Sequence, residues 1–140
     1  MVKKRNYITL LLVAVFITSC FDSNKIYFEI QDQSIKSCNK KGIKNLYIQN
    51  SATPDMYYLV FNDTIKRDVP KVIYIDSISN LYSIYQGWQK KPVNNNSFRL
   101  APLSQYKIER VQGDASAYKI EIWTDKNGKV IKTSKENCTN

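Results

Sequence analysis

The chain of 140 residues contains no histidine. Missing with it are the side chain whose unperturbed pKa lies nearest neutrality and the commonest metal ligand. Ser-His-Asp, Cys-His and histidine-zinc chemistries are thereby excluded. Glycine is scarce: Gly42, Gly87, Gly113 and Gly128 stand alone, with no Gly-x-Gly-x-x-Gly spacing, so no loop can cradle a nucleotide's phosphates with clustered backbone N–H groups. Acidic residues are also few. Twelve Asp and Glu against 21 Lys and Arg give a formal charge of +9, a balance that favours anionic partners. A catalyst without histidine would need paired carboxylates, a lysine base or an activated cysteine, and the carboxylates here are scattered over alternating positions. The expectation is a protein that is not an enzyme and needs no metal or cofactor.

No long hydrophobic run occurs either. The apolar stretch Tyr7–Ile17 is shorter than the roughly 20 residues a spanning helix needs. It follows Lys3, Lys4 and Arg5 and ends in Thr18-Ser19, so residues 1–19 have the basic, apolar and small-residue parts of a secretory signal. Cys20 comes directly after Ser19. Ile17-Thr18-Ser19-Cys20 resembles the lipobox of bacterial lipoproteins, in which the cysteine sulfur receives a diacylglycerol, the signal is cut before it and the new amine is acylated. The competing reading is a plain signal with a chance cysteine at its end. Phe21, rather than an aspartate, follows the cysteine, and similarity to the enterobacterial sorting rule then implies the outer membrane, facing the periplasm. Cleavage removes three cations and leaves +6. In the envelope an anionic lipid or an acidic protein is available as a partner, and nucleic acid is not expected.

The remaining cysteines, Cys38 and Cys138, lie in a compartment that permits disulfides. An internal bridge would close a loop of about 100 residues, which the chain-entropy model values at roughly 4.7 kcal/mol. Free thiols or an intermolecular bond are the alternatives.

Residues 20–25 form a polar tether, and residues 26–140 are expected to form one domain. Ile26, Phe28 and Ile30 alternate with Tyr27, Glu29 and Gln31, the two-residue period of a half-buried strand. Ser34–Gly42 is polar and predicts a loop. Ile43–Gln49, Met56–Phe61 and Val72–Ile75 follow as strands, Met56–Phe61 apolar on both faces like a central strand. Ser77–Gln86 is ambiguous between helix and strand spacing and is assigned as a short strand. Gly87–Gln105, with Trp88, Pro92, Asn94 to Asn96 and Pro102, predicts the longest loop.

Tyr106-Lys107-Ile108-Glu109 recurs as Tyr118-Lys119-Ile120-Glu121, with Gln112–Ser116 between them. This repeat predicts a hairpin pairing Ile108 with Ile120 and Tyr106 with Ile122, which sets Glu109 against Lys119 and Lys107 against Glu121. A catalytic role for Glu109 and Glu121 competes, but each carboxylate then has a lysine. Asp125-Lys126-Asn127-Gly128 is a second hairpin turn. Seven or eight short strands without a helix predict an all-β fold, an antiparallel β-sandwich of immunoglobulin-like type, with a small barrel as the alternative.

The lipobox, the Tyr-Lys-Ile-Glu-Arg strand, Gly113-Asp114, Ile122-Trp123-Thr124-Asp125 and Gly128-Lys129-Val130 together resemble small envelope lipoproteins of the type VI secretion immunity class. The resemblance covers the lipobox and residues 105–132. It implies a periplasm-facing protein that binds and neutralises an incoming toxin, and it carries over no active-site residue.

Interfaces favour Tyr, Trp and Arg. Tyr82, Tyr85, Trp88 and Arg99 fall close together beside Lys90 and Lys91, with no acidic residue from Ser77 to Ile108. These six are the candidate contact residues for a protein with an acidic surface. Two readings compete: Trp88 plugs the end of the sandwich, or Trp88, Gln89 and the asparagines form a glycan or small-ligand module.

Overall fold

The computed structural model describes residues 23–139; the expected signal (1–19) and Cys20, the expected acylation site, lie outside the described residues. Among the described residues there are ten strands: β1 (Ile26–Glu29), β2 (Ser34–Ser37), β3 (Asn45–Asn50), β4 (Met56–Phe61), β5 (Val72–Tyr74), β6 (Tyr82–Gln86), β7 (Lys91–Val93), β8 (Gln105–Arg110), β9 (Tyr118–Thr124) and β10 (Val130–Thr133). They form two antiparallel sheets, β1-β2-β5 and β10-β9-β8-β3-β4-β6-β7. The large sheet is open at β10 and β7, so the architecture is the expected all-β sandwich and not a closed barrel.

Strand alternation builds the core. Ile26, Phe28, Ile35 and Ile73 from the small sheet meet Leu46, Ile48, Leu59, Ile84, Ile108, Ile120 and Ile122 from the large one, all buried. Each such side chain contributes about 1.5–3 kcal/mol relative to exposure. The β8–β9 hairpin has the register expected from its repeat: Ile108 faces Ile120, Tyr106 faces Ile122, Glu109 faces Lys119 and Lys107 faces Glu121. In the β9–β10 turn the Asp125 carboxylate accepts from the N–H groups of Asn127 and Lys129 at 2.7 and 3.0 Å. Gly128 has φ +79°, and a Cβ there would lie 2.5 Å from the Leu100 carbonyl oxygen.

Two expected loops contain strands. Ser34–Gly42 begins with β2, which pairs with β1 through a tight turn in which Gln33 donates to the Ile30 carbonyl at 2.7 Å. Only Ile35 supplies an apolar signal there; backbone pairing on both sides, to β1 and β5, makes the strand. Within Gly87–Gln105 lie β7 and a 3-10 turn at Asn95–Ser97. β7 is an edge strand, which is where Pro92 is tolerated.

The pairings sort the connections to two ends. At one end are the entering chain at Ser23–Lys25, the β2–β3 and β4–β5 connections and the β8–β9 turn, where Asn24 donates to the Ala115 and Ser116 carbonyls. The Cys38–Cys138 disulfide ties the tail to this end across 100 residues of sequence. At the other end are the β1–β2, β3–β4, β6–β7 and β9–β10 turns.

Arg110 is 1% exposed. Strand parity puts it in line with Tyr106 and Ile108 on the inner face. Its guanidinium donates to neutral groups, the Ser37 hydroxyl at 2.8 Å and the Gly42 carbonyl at 3.0 Å, while its Nε has no partner. Burial pushes its pKa down, and nearby Tyr82 opposes that shift. The arginine thus pins the β2–β3 connection to β8.

Candidate functional site

Strand alternation divides the residues expected to act together. Tyr82 and Tyr85 are three apart on β6, so they face opposite sides of the sheet. Tyr82 is 3% exposed and its hydroxyl donates to the Ile43 carbonyl at 2.7 Å. Burial pushes its phenol well above the usual range, partly offset by the Arg110 charge. Tyr82 is therefore a core residue, and its expected place on the contact surface is corrected.

Tyr85 lies on the outer face, in a row of directly opposed residues crossing six strands. Lys119 faces Glu109, Glu109 faces Tyr47, Tyr47 faces Tyr58, Tyr58 faces Tyr85, and Tyr85 faces Pro92. The Tyr47 and Tyr58 rings stack at 4.5 Å with an 18° interplanar angle. Burial, together with the adjacent Tyr47, raises the Tyr58 pKa. Lys119 and Glu109 form an ion pair at 3.5 Å, which at this exposure is worth a few tenths of a kcal/mol.

Trp88 lines a depression together with Tyr47, Glu109 and Lys119 of this row. The turn that carries it has Gly87 at φ +69° and Lys90 at φ +51°, and is fixed by bonds from Gly87 N–H to the Met56 carbonyl at 2.8 Å and from Lys90 N–H to the Gly87 carbonyl at 3.1 Å. Trp88 is 90% exposed, so it does not plug the sandwich. The Lys90 ammonium sits 6.0 Å from the Tyr58 ring centre. Trp88, Tyr47, Gln49, Met56, Lys107 and Glu109 are among the residues that line an open depression of about 380 Å³. Lys90, Lys107, Lys119 and Lys132 outnumber Glu109 and Glu121 on this face. Farther along it, Lys132 lies 4.6 Å from the Trp123 ring centre.

Lys91 and Arg99 stand apart from this group. Register sets Lys91 opposite Gln86, one position out of phase with Tyr85, so Lys91 is exposed at the sheet edge on the other face of β7. Arg99 is exposed between the buried Phe98 and Leu100 and donates to the Phe98 carbonyl at 2.6 Å. Phe98 in turn packs edge-on against Tyr57 at 5.0 Å. Two of the three asparagines have engaged side chains: Asn95 donates to the Ser79 and Tyr82 carbonyls, and Asn94 accepts from the Asn96 N–H.

The face thus joins Tyr85, Trp88 and Lys90 to Tyr47, Gln49, Met56 and Tyr58. Met56 and Tyr58 escaped sequence reasoning because β4 reads as apolar on both sides, and Tyr47 and Gln49 because the pairing that sets β3 beside β4 is not written in β3 itself, although the parity of Tyr47 against Leu46 and Ile48 already directs Tyr47 outward. Among the described residues no cluster of Cys, Asp and Glu could hold a metal ion. The arrangement offers flat aromatic contact area with a basic rim and holds no pair of carboxylates free of lysine. No family model matches this chain, and no curated protein or solved structure is significantly similar to it.

Proposed function

We propose that this chain is a lipid-anchored envelope protein, facing the periplasm from the outer membrane, that binds a protein partner with an acidic surface through the aromatic face of its large sheet. The observation that carries this reading is Trp88, 90% exposed on a turn locked by backbone hydrogen bonds and lining one depression with Tyr47, which stacks on Tyr58. A soluble domain gains nothing in stability from an indole held in water, whereas interfaces concentrate their energy in such aromatic anchors. The basic rim complements an acidic partner and accelerates encounter.

The kind of partner follows from the lipobox and from the resemblance of residues 105–132 to immunity lipoproteins: a toxin delivered into the periplasm, which this protein neutralises by binding. The glycan reading has two fewer free amides to draw on, because Asn95 donates to the Ser79 and Tyr82 carbonyls and Asn94 accepts from the Asn96 N–H.

Contact competition between strains tests the proposal and works whichever toxin is involved. Cells lacking the gene should be killed on contact with their wild-type siblings. Wild-type protein should rescue them and Trp88→Ala should not. Survival of the deletion strain contradicts the immunity role. Full rescue by Trp88→Ala removes Trp88 as the anchor.

A further inference from the structure

The end of the domain where the described chain begins carries a dense group of cations. The β2–β3 connection holds Lys40, Lys41 and Lys44, and the β4–β5 connection holds Lys66, Arg67 and Lys71, against Asp63 and Asp68. A cleft of about 410 Å³ is lined by Lys40, Lys41, Lys44 and Lys71 with Asp68 and Gln112. Its walls are rigid. The Ile43 N–H donates to the Pro70 carbonyl at 2.8 Å, and the Ser37 N–H to the Lys71 carbonyl at 2.9 Å. Gly42 is pressed so closely on residue 69 that a Cβ would meet the Val69 carbonyl oxygen at 2.1 Å. Behind the cleft the buried Arg110 shares the Gly42 carbonyl with Gln112, which adds a fixed charge to the same end.

The entering chain sits beside this cleft. Ser23, Lys25 and Lys41 are among the residues lining one cavity with the β8–β9 turn. Cys20 is three residues before Ser23, a separation of at most about 11 Å at full extension. An acyl chain on Cys20 would therefore hold this end within roughly a Debye length of the headgroups. The turn bearing Trp88 is at the opposite end of the strands.

We propose that the cationic end, Lys40, Lys44, Lys66, Arg67 and Lys71, docks on the headgroups of an anionic bilayer and so holds the domain upright with the Trp88 turn directed away from the membrane. The proposal rests on the lipid-anchor reading of Cys20 and adds a second contact to it. The lipid on Cys20 would supply the attachment itself, and the basic patch adds electrostatic attraction to anionic headgroups, which orients the domain on the surface. Each lysine close to an anionic surface strengthens attachment about fivefold.

The test uses the mature chain, purified from membranes and incorporated into vesicles of phosphatidylcholine with or without phosphatidylglycerol. Amines are labelled and each lysine's labelling rate is read by mass spectrometry. Lys40, Lys44 and Lys71 should label at least fivefold more slowly in the anionic vesicles, while Lys126 and Lys129 at the far end should not change. Equal rates at Lys40, Lys44 and Lys71 in the two vesicle types overturn the proposal. The mass of the N-terminal peptide reports separately on the anchor. If Cys20 carries no lipid, the anchor reading fails, and cosedimentation of the same chain with anionic vesicles decides for the cationic end. Salt-sensitive binding, weakened more than tenfold by Lys40→Glu, Lys44→Glu and Lys71→Glu together, upholds it, and absence of binding overturns it.

Discussion

Tyr47 and Tyr58 lie directly opposite each other on β3 and β4, with ring centres 4.5 Å apart, on the solvent side of the large sheet. An offset stack of this kind is worth about 0.5–1.5 kcal/mol beyond its buried area. A double-mutant cycle with Tyr47→Ala and Tyr58→Ala should give a coupling in that range by urea unfolding. Each single variant should remain folded, because the core beneath is made of Leu46, Ile48 and Leu59.

Arg110 should be the most sensitive charged residue in the domain. Arg110→Ala removes one donor each from the Ser37 hydroxyl and the Gly42 carbonyl, which keep Asn39 and Gln112 as partners, and opens a cavity, so unfolding free energy should fall by about 2–5 kcal/mol, mostly through the cavity. Arg110→Met retains most of the volume and removes the desolvation cost of a cation, so it should lose distinctly less. Urea midpoints of the two variants check the order.

The Cys38–Cys138 bridge fixes the tail beside the entering chain. Replacing both cysteines by serine, or reducing the native protein, should cost about 2–4 kcal/mol and lower Tm. Native oxidised protein should expose neither thiol to an alkylating reagent.

Tyr82 gives the domain an alkaline limit. Its folded pKa is raised, chiefly by burial, so the neutral phenol is favoured in the fold. The associated stability is intact below the unfolded tyrosine pKa of about 10 and is lost as pH climbs above it. Tyr82→Phe should start lower, having lost the bond to the Ile43 carbonyl, but decline less between about pH 10 and 11. Urea midpoints across that interval report the difference in slope.

What could be read in the sequence was what short-range pattern controls. The repeated Tyr-Lys-Ile-Glu fixed the β8–β9 register because alternation and opposite charges agree on one pairing. The facing of Tyr82 and Tyr85 was also present, as a three-residue offset on a strand, yet proximity in sequence suggested a common surface. Arg110 likewise follows Ile108 by two positions, a parity that argues for the core against its charge. The aromatic row was not legible, because it requires β3, β4 and β6 to align, and the β4–β6 register is set across a connection of twenty residues. β2 was hidden for the same reason: its partners, not its own residues, make it a strand.

The central claim, that the Trp88 face binds a protein, is tested most directly by photocrosslinking from position 88 in intact cells, with position 126 at the same end of the domain as the control. The account predicts one discrete protein adduct from position 88, weakened at high salt and by Tyr58→Ala, and none from position 126. No adduct at position 88, or the same adduct from both positions, would contradict it.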